Sequence, residues 1–341
     1  MHEPHWLLAV ALLVGSGHAI VAQQKSAAPP TAVVSSSNTN AVAATVNGQP
    51  ISENSVRRAL KRFAPEQRAE ARPAVLAHLI DNALLDQYLE QQGVVVERKE
   101  VETKLQQVRD DLKKNDTTFA QLLRELTSTE QEFRSAIEAQ LRWDKFIEKK
   151  ATDENLLKMF KAEREMFDGT MVRARHVLLS PPANDPQAEE KAKADLLQYK
   201  KEIEEKVTKG LESLQGQLDD LARENARRKL LDESFSDYAR KYSACPSKEL
   251  GGDVDWFPRG GHMVDTFSKA AFALKPFQMS EVIKSPFGLH LILSTDRKEG
   301  PETKFEDVKA EVKDVFCAQL RDRICAAMRP TAKIIIDPPT K

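Results

Sequence analysis

The chain has 341 residues, 41% of them hydrophobic and 30% charged, which is enough for about two domains with separate cores. Its 51 basic and 52 acidic residues leave a net charge of -1, so no global field recruits nucleic acid or an anionic membrane surface. Three cysteines make no disulfide framework, and Cys317 and Cys325 share one predicted helix with a rise of about 12 Å between them, beyond disulfide reach.

The N-terminus reads as an export signal over residues 1–22. Trp6 to Val14 is a short apolar run, and Gly17-His18-Ala19 places small residues where a cleavage needs them, with the cut expected after Ala19 or Ala22. That run is too short to span a bilayer comfortably, and no Cys stands at the cut for lipid attachment, so the mature chain is expected outside the cytoplasm without an integral membrane segment. Residues 23–40, rich in Ser, Pro, Ala, Thr and Asn, are a predicted disordered linker.

Ala41 to Val46 then predicts a strand, Asn47-Gly48 a tight turn, and Gln49-Pro50-Ile51 the returning strand, with Ser52 capping a helix. After Pro73, the residues Val75, Leu76, Leu79, Ile80, Leu84, Leu85, Tyr88 and Leu89 recur on one helical face, and Gly93 closes that helix. Further helices are predicted near Lys99–Lys114, Thr118–Leu126, Glu130–Lys149 and Asp153–Glu165, and they must pack on one another to be stable.

Between Asp185 and Asp232, Leu196, Ile203, Val207, Leu211, Leu214, Leu218 and Leu221 recur at threes and fours in a highly charged run. This predicts a long helix or a helical hairpin. Its stripe either packs on its own domain or serves as an arm for homodimerisation or client contact. Phe305 to Met328 predicts another amphipathic helix, and Ala332 to Ile336 a strand.

The segment from Phe235 to Arg297 carries the chemistry. A His-bearing strand, Arg175-His176-Val177-Leu178-Leu179, precedes the polar helical region. There follow Tyr242-Ser243-Ala244-Cys245, then Gly251-Gly252-Asp253-Val254-Asp255-Trp256-Phe257, Met263, Phe267, and Phe287-Gly288-Leu289-His290-Leu291. In order and spacing this resembles the parvulin family of peptidyl-prolyl isomerases. The strand, turn and helix array upstream resembles the N-terminal region of SurA- and PrsA-type exported chaperones, through Val-Asn-Gly-Gln-Pro-Ile-Ser and Leu-Ile-Asp-Asn-Ala-Leu-Leu.

The resemblance implies an α+β protein: a helical SurA-N-like chaperone domain at 41–168, a parvulin domain at 169–299, and a C-terminal helix and strand at 300–341 that return to the chaperone domain. The parvulin domain is expected to be a small antiparallel sheet flanked by helices, extended by the helical insertion 185–232, where parvulins hold one short helix. The resemblance places Val254, Phe257, Met263 and Phe267 around the proline ring and sets His176 beside His290. It puts Cys245 at the polar position facing the rotating bond. Composition alone equally allows the apolar four to be plain core.

Rotation about the bond before proline crosses a barrier of about 18–20 kcal/mol and needs no nucleophile, metal or cofactor. A dry apolar pocket favours the twisted state, which has lost the charge separation of the amide. A Cys/His hydrolase and a His2Cys zinc site are rival readings, but Cys245 lacks an activating context and no Cys-Xaa-Xaa-Cys motif is present. The loop Ser180-Pro181-Pro182-Ala183-Asn184-Asp185 has no Arg or Lys to bind a phosphate. The expected function is therefore isomerisation of Xaa-Pro bonds in unfolded or nascent exported polypeptides, without cofactor or metal, in the periplasm or extracytoplasmic envelope. The alternative is a binding chaperone with little or no turnover.

Overall fold

A computed structural model describes residues 41–214 and 219–337. The export signal, the linker and Leu218 lie outside the described residues. The contacts divide the chain into two units, one taking the chain up to Leu156 together with Lys313 onward, the other running Leu157–Val312. The second is thus inserted in the sequence of the first.

In the first unit, β1 (Val42–Val46) turns back into β2 (Gln49–Ser52) through Asn47 and Gly48, both at positive φ, as a two-residue hairpin requires. The C-terminal strand β8 (Ile334–Ile336) pairs antiparallel with β1 on its other side, giving the order β2-β1-β8. Asn47 fastens this return, accepting the Lys333 N–H at 2.8 Å and donating through Nδ2 to Gln87 at 2.7 Å.

Five helices follow β2: α1 (Glu53–Leu60), α2 (Arg68–Gln91), α3 (Arg98–Lys114), α4 (Phe119–Glu125) and α5 (Glu130–Lys150). Their starts are local chemistry. Ser52 accepts the Ser55 N–H, and reciprocal capping boxes join Glu97 to Glu100, Thr118 to Gln121 and Thr129 to Glu132. Helix α2 begins at Arg68, five residues before Pro73, where the sequence predicts a start after the proline. The ring leaves unpaired only the carbonyl of Ala69, one turn from the helix end, so the cost of continuing is small. Val75, Leu76, Ile80 and Leu84 bury their stripe under the hairpin, and Leu85 and Leu89 pack with Phe146, Ile147 and Ile324.

The second unit begins within α6 (Asp153–Ala162) and is built on a sheet of β3 (Met171–Leu179), β4 (Asp253–Pro258), β5 (Gln278–Met279), β6 (Ile283–Ser285) and β7 (Gly288–Lys298). All pairings are antiparallel, in the order β4-β3-β7-β5, with β6 also on β7. Alternation along β3 and β7 sends Val177, Leu289, Leu291 and Leu293 to one face and Val172, Ala174 and Ile292 to the other. The second of these faces is covered by α9 (Asp265–Phe272).

The first face is covered by the charged run, which forms two helices, α7 (Pro186–Glu212) and α8 (Asp220–Tyr242), packed on one another. Leu196, Ile203 and Val207 of α7 and Leu231 and Phe235 of α8 join Val177 and Leu291 in one core. The stripe is consumed inside its own unit. Among the described residues of the stripe, only Leu221, toward the far end, stands free, at 72% exposure. Replacing the fully buried Ile203 by Ala is expected to cost about 2–5 kcal/mol in chemical denaturation. Leu221→Ala should stay within about 0.5 kcal/mol. Equal effects at the two positions would mean that the stripe does not pack as described.

Helix α10 (Phe305–Met328) returns the chain to the first unit, where Ile324 and Cys325 pack against Leu85 and Leu89 of α2. Among the described residues no helix is long and apolar enough to cross a membrane.

Candidate active site

The two central strands of the five-stranded sheet place His176 and His290 on the same face. His176 stands opposite Ile292 and His290 opposite Leu178, so the imidazoles are diagonal neighbours. Their rings stack at 5.3 Å and 17°, with Nδ1 facing Nδ1 at 3.1 Å. Each outer nitrogen meets a serine: His176 Nε2 lies 3.1 Å from Ser247 Oγ, and His290 Nε2 lies 2.7 Å from Ser285 Oγ.

This chain of contacts fixes the protonation. One Nδ1 must donate and the other accept, so the donor ring takes a hydroxyl proton at its Nε2 while the acceptor ring gives its Nε2–H to the other serine. Both directions satisfy all four ring nitrogens with both rings neutral. Burial lowers the pKa of His176 to about 3, with His290 adding repulsion, and burial lowers that of His290 to about 4.

Phe267, on α9, presents its ring edge-on to both imidazoles, at 5.4 Å from His176 and 5.5 Å from His290. Phe257 backs Phe267 at 5.9 Å. Val254 and Met263 pack into the same apolar cluster and keep part of their surface exposed, whereas Phe257 exposes none. Phe257 therefore supports the cluster from behind, packed between Phe267 and Phe272.

Cys245 is half-buried at the start of the 3-10 turn Pro246–Leu250. Its N–H donates to Ser243 Oγ at 3.3 Å, the same oxygen that accepts the Leu178 N–H at 3.1 Å. Among the described residues its thiol makes no hydrogen bond to either imidazole. The partner of His176 is Ser247, two positions on. The imidazoles point at each other and at serines, so neither a Cys/His dyad nor a converging His2Cys ligand set is formed.

The Gly251-Gly252-Asp253 turn is what brings this segment onto β3. Both glycines have left-handed φ, at +66° and +78°, and the carbonyl of Gly252 accepts the His176 N–H at 2.9 Å. Arg173 pairs with Asp253 at 2.6 Å, and Arg175 pairs with Asp232 at 2.6 Å while donating to the Leu250 carbonyl at 2.9 Å. Burial pushes the Asp253 carboxyl up, but the Arg173 hydrogen bond, the Asp255 N–H and the nearby guanidinium charges outweigh it and hold the pKa below its ordinary value.

Two family models match the chain: a PPIC-type PPIASE domain over residues 208–296 and a SurA-like N-terminal domain over residues 29–147. By these two domains the chain matches the PrsA- and SurA-like parvulin-type foldases. It is 36% identical over 103 residues to the foldase protein PrsA of Bacillus subtilis, covering 30% of this chain and 34% of the relative. It is 30% identical over 185 residues to foldase protein PrsA 1 of Bacillus cereus, covering 54% and 48%. The chain thus spans about a third to a half of the length of these curated relatives. Among solved structures, the peptidylprolyl isomerase PrsA of Bacillus anthracis aligns over 75% of this chain and 96% of its own, with 21% identity and a TM-score of 0.38.

Within the inserted unit the matched stretch begins at residue 208, inside α7, so β3 and His176 lie before it. The two-helix excursion separates them in sequence. Sequence reasoning missed Ser247 and Ser285. The Ser-Pro-Phe-Gly turn between β6 and β7 was the available signal for Ser285, because a hairpin there folds that serine back toward His290.

Proposed function

We propose that the inserted unit is a peptidyl-prolyl cis-trans isomerase acting without covalent chemistry on Xaa-Pro bonds of unfolded exported polypeptides, outside the cytoplasm. The observation that carries this reading is the neutral His176–His290 pair capped by Phe267, beside the half-exposed Val254 and Met263. Buried, uncharged imidazoles with every nitrogen satisfied offer no proton relay and no nucleophile. They supply a rigid, weakly polar floor. Above it, Met263 and Phe267 would hold the proline ring while the imide carbonyl rotates, and the apolar surroundings favour the twisted state, in which amide charge separation is lost. Val254 would complete the wall, with Phe257 supporting Phe267 from behind, and Cys245 would stand at the polar position facing the rotating bond.

The test is acceleration of cis-to-trans conversion in unphosphorylated Xaa-Pro tetrapeptides. Met263→Ala should lower kcat/KM on the order of tenfold and Phe267→Ala more, since each ~1.4 kcal/mol of lost transition-state contact is a factor of ten. No acceleration by the folded wild-type chain, with protection of an unfolded client retained, would leave a binding chaperone as the function.

A further inference from the structure

The loop that joins β4 to α9 carries Met263, yet its own backbone does not hold it in place. It contains Gly260 and Gly261, the latter at φ +85° with nothing within 4 Å of where a Cβ would stand. Glycine restricts its own dihedrals least of all residues, so this pair leaves the path of the chain open. Among the described residues, no backbone hydrogen bond involves residues 260–263. The strand pairing ends at Pro258, and the bonds that start α9 begin at the Val264 carbonyl. Side chains must therefore place Met263.

Arg259 stands at the start of the loop with only 6% of its surface exposed, a position an arginine tolerates only when its charge is answered. Its Nη1 donates at 2.8 Å to Oδ1 of Asp265, the first residue of α9, and so closes the loop across its two ends. Its Nη2 lies 3.7 Å from Oε2 of Glu163, in the segment that leads into β3, and so ties the closed loop to the rest of the unit. The 3-10 turn that follows, Arg164–Met166, backs the same loop, since a Cβ on Gly260 would stand 3.3 Å from Met166 Cε. Glu165 of that turn pairs with Arg297 on β7, which anchors the turn to the sheet. A planar guanidinium addresses two carboxylates at a fixed angle, which an ammonium cannot do.

We propose that Arg259 is a positioning residue of the proline pocket: by clasping Asp265 and Glu163 it closes the β4–α9 loop and holds Met263 at the pocket wall. It acts through Met263 rather than on the substrate. This rests on the proposed function, because Met263 matters to turnover only if it holds the proline ring. The test is a double-mutant cycle on the full chain, read as kcat/KM for unphosphorylated Xaa-Pro tetrapeptides. Arg259→Gln alone should lower it about tenfold, as far as Met263→Ala does, because both remove the same wall. With Met263→Ala already present, Arg259→Gln should cost less than about twofold, whereas two independent losses would multiply to about a hundredfold. Asp265→Ala removes the more exposed end of the clasp, whose side chain is 68% accessible. It should lower kcat/KM about threefold, as expected of a partly exposed pair, and serves if thermal unfolding shows that Arg259→Gln does not fold. The second readout needs no turnover. The isotope-labelled methyl resonance of Met263, assigned through Met263→Leu, should shift toward that of solvent-exposed methionine in Arg259→Gln and in Asp265→Ala. Losses that multiply, or a Met263 methyl that neither variant moves, overturn the proposal. Absence of wild-type turnover removes the proposed function, and the methyl then decides alone whether Arg259 holds Met263.

Discussion

Gly252→Ala is expected to destabilise the inserted unit by about 2–5 kcal/mol and to remove turnover with it. Two costs combine. The residue has φ +78°, where a Cβ costs about 1–2 kcal/mol. The added carbon would also lie 2.4 Å from the His176 carbonyl oxygen and 2.9 Å from the Ala239 Cβ, and overpacking typically adds about 1–3 kcal/mol. Backbone cannot step aside as a flexible side chain can, so β3 must move exactly where it carries His176. Gly261→Ala in the same unit is the control. Its φ of +85° is as unfavourable, but nothing lies within 4 Å of the new Cβ. Chemical denaturation should therefore show the smaller, conformational cost alone at Gly261. Hydrogen exchange of the His176 amide, which donates to Gly252, should accelerate only in Gly252→Ala. Equal losses at the two glycines would show that the close approach does not exist.

Acidification should weaken the same unit well before its carboxylates titrate. His176 and His290 have folded pKa values lowered to about 3 and about 4 against 6.5. Below 6.5 the unfolded chain binds protons that the folded chain refuses, so stability rises with pH across this window. The contribution is fully present above pH 6.5 and is lost as pH falls toward 4. Each histidine contributes a slope of at most ~1.4 kcal/mol per pH unit, so the drop between pH 6.5 and 4.5 approaches an upper bound of about 5 kcal/mol. His78 acts with the same sign in the first unit. Denaturation at stepped pH, followed on the inserted unit, measures the slope. Turnover should stay flat from pH 6.5 to 8, because neither ring changes charge there. A flat stability profile between pH 6.5 and 4.5 would mean that the imidazoles are not buried as a neutral pair.

Both predictions depend on contacts that the sequence conveyed only in part. The family resemblance put His176 beside His290, and it gathered Val254, Met263 and Phe267 into one place. It could not say that Phe257 would be fully enclosed, because alternation along β4 marks the inward side of a strand without measuring what lies over it. Nor could it show Ser247, rather than Cys245, completing the hydrogen-bond chain. The two positions share one short turn, and its path against β3 is set by Gly252 and by the Arg173 and Arg175 pairs.

What the sequence by itself determined is local: the Asn47-Gly48 turn, the caps at Ser52, Thr118 and Thr129, and the helical stripes. Each of these depends on neighbours within about one turn, where a residue's own donors, acceptors and backbone preferences decide. Tertiary structure alone decided where those stripes went. The Asp185–Asp232 run could have been an external arm, and the same periodicity suits either fate. Packing Leu196, Ile203 and Phe235 on Val177 and Leu291 removed them from water and settled it. The site has the same origin, since Ser247 lies 71 residues and His290 114 residues from His176. Hydrogen bonds over such separations exist only after the sheet has formed, and no periodicity in the chain announces them.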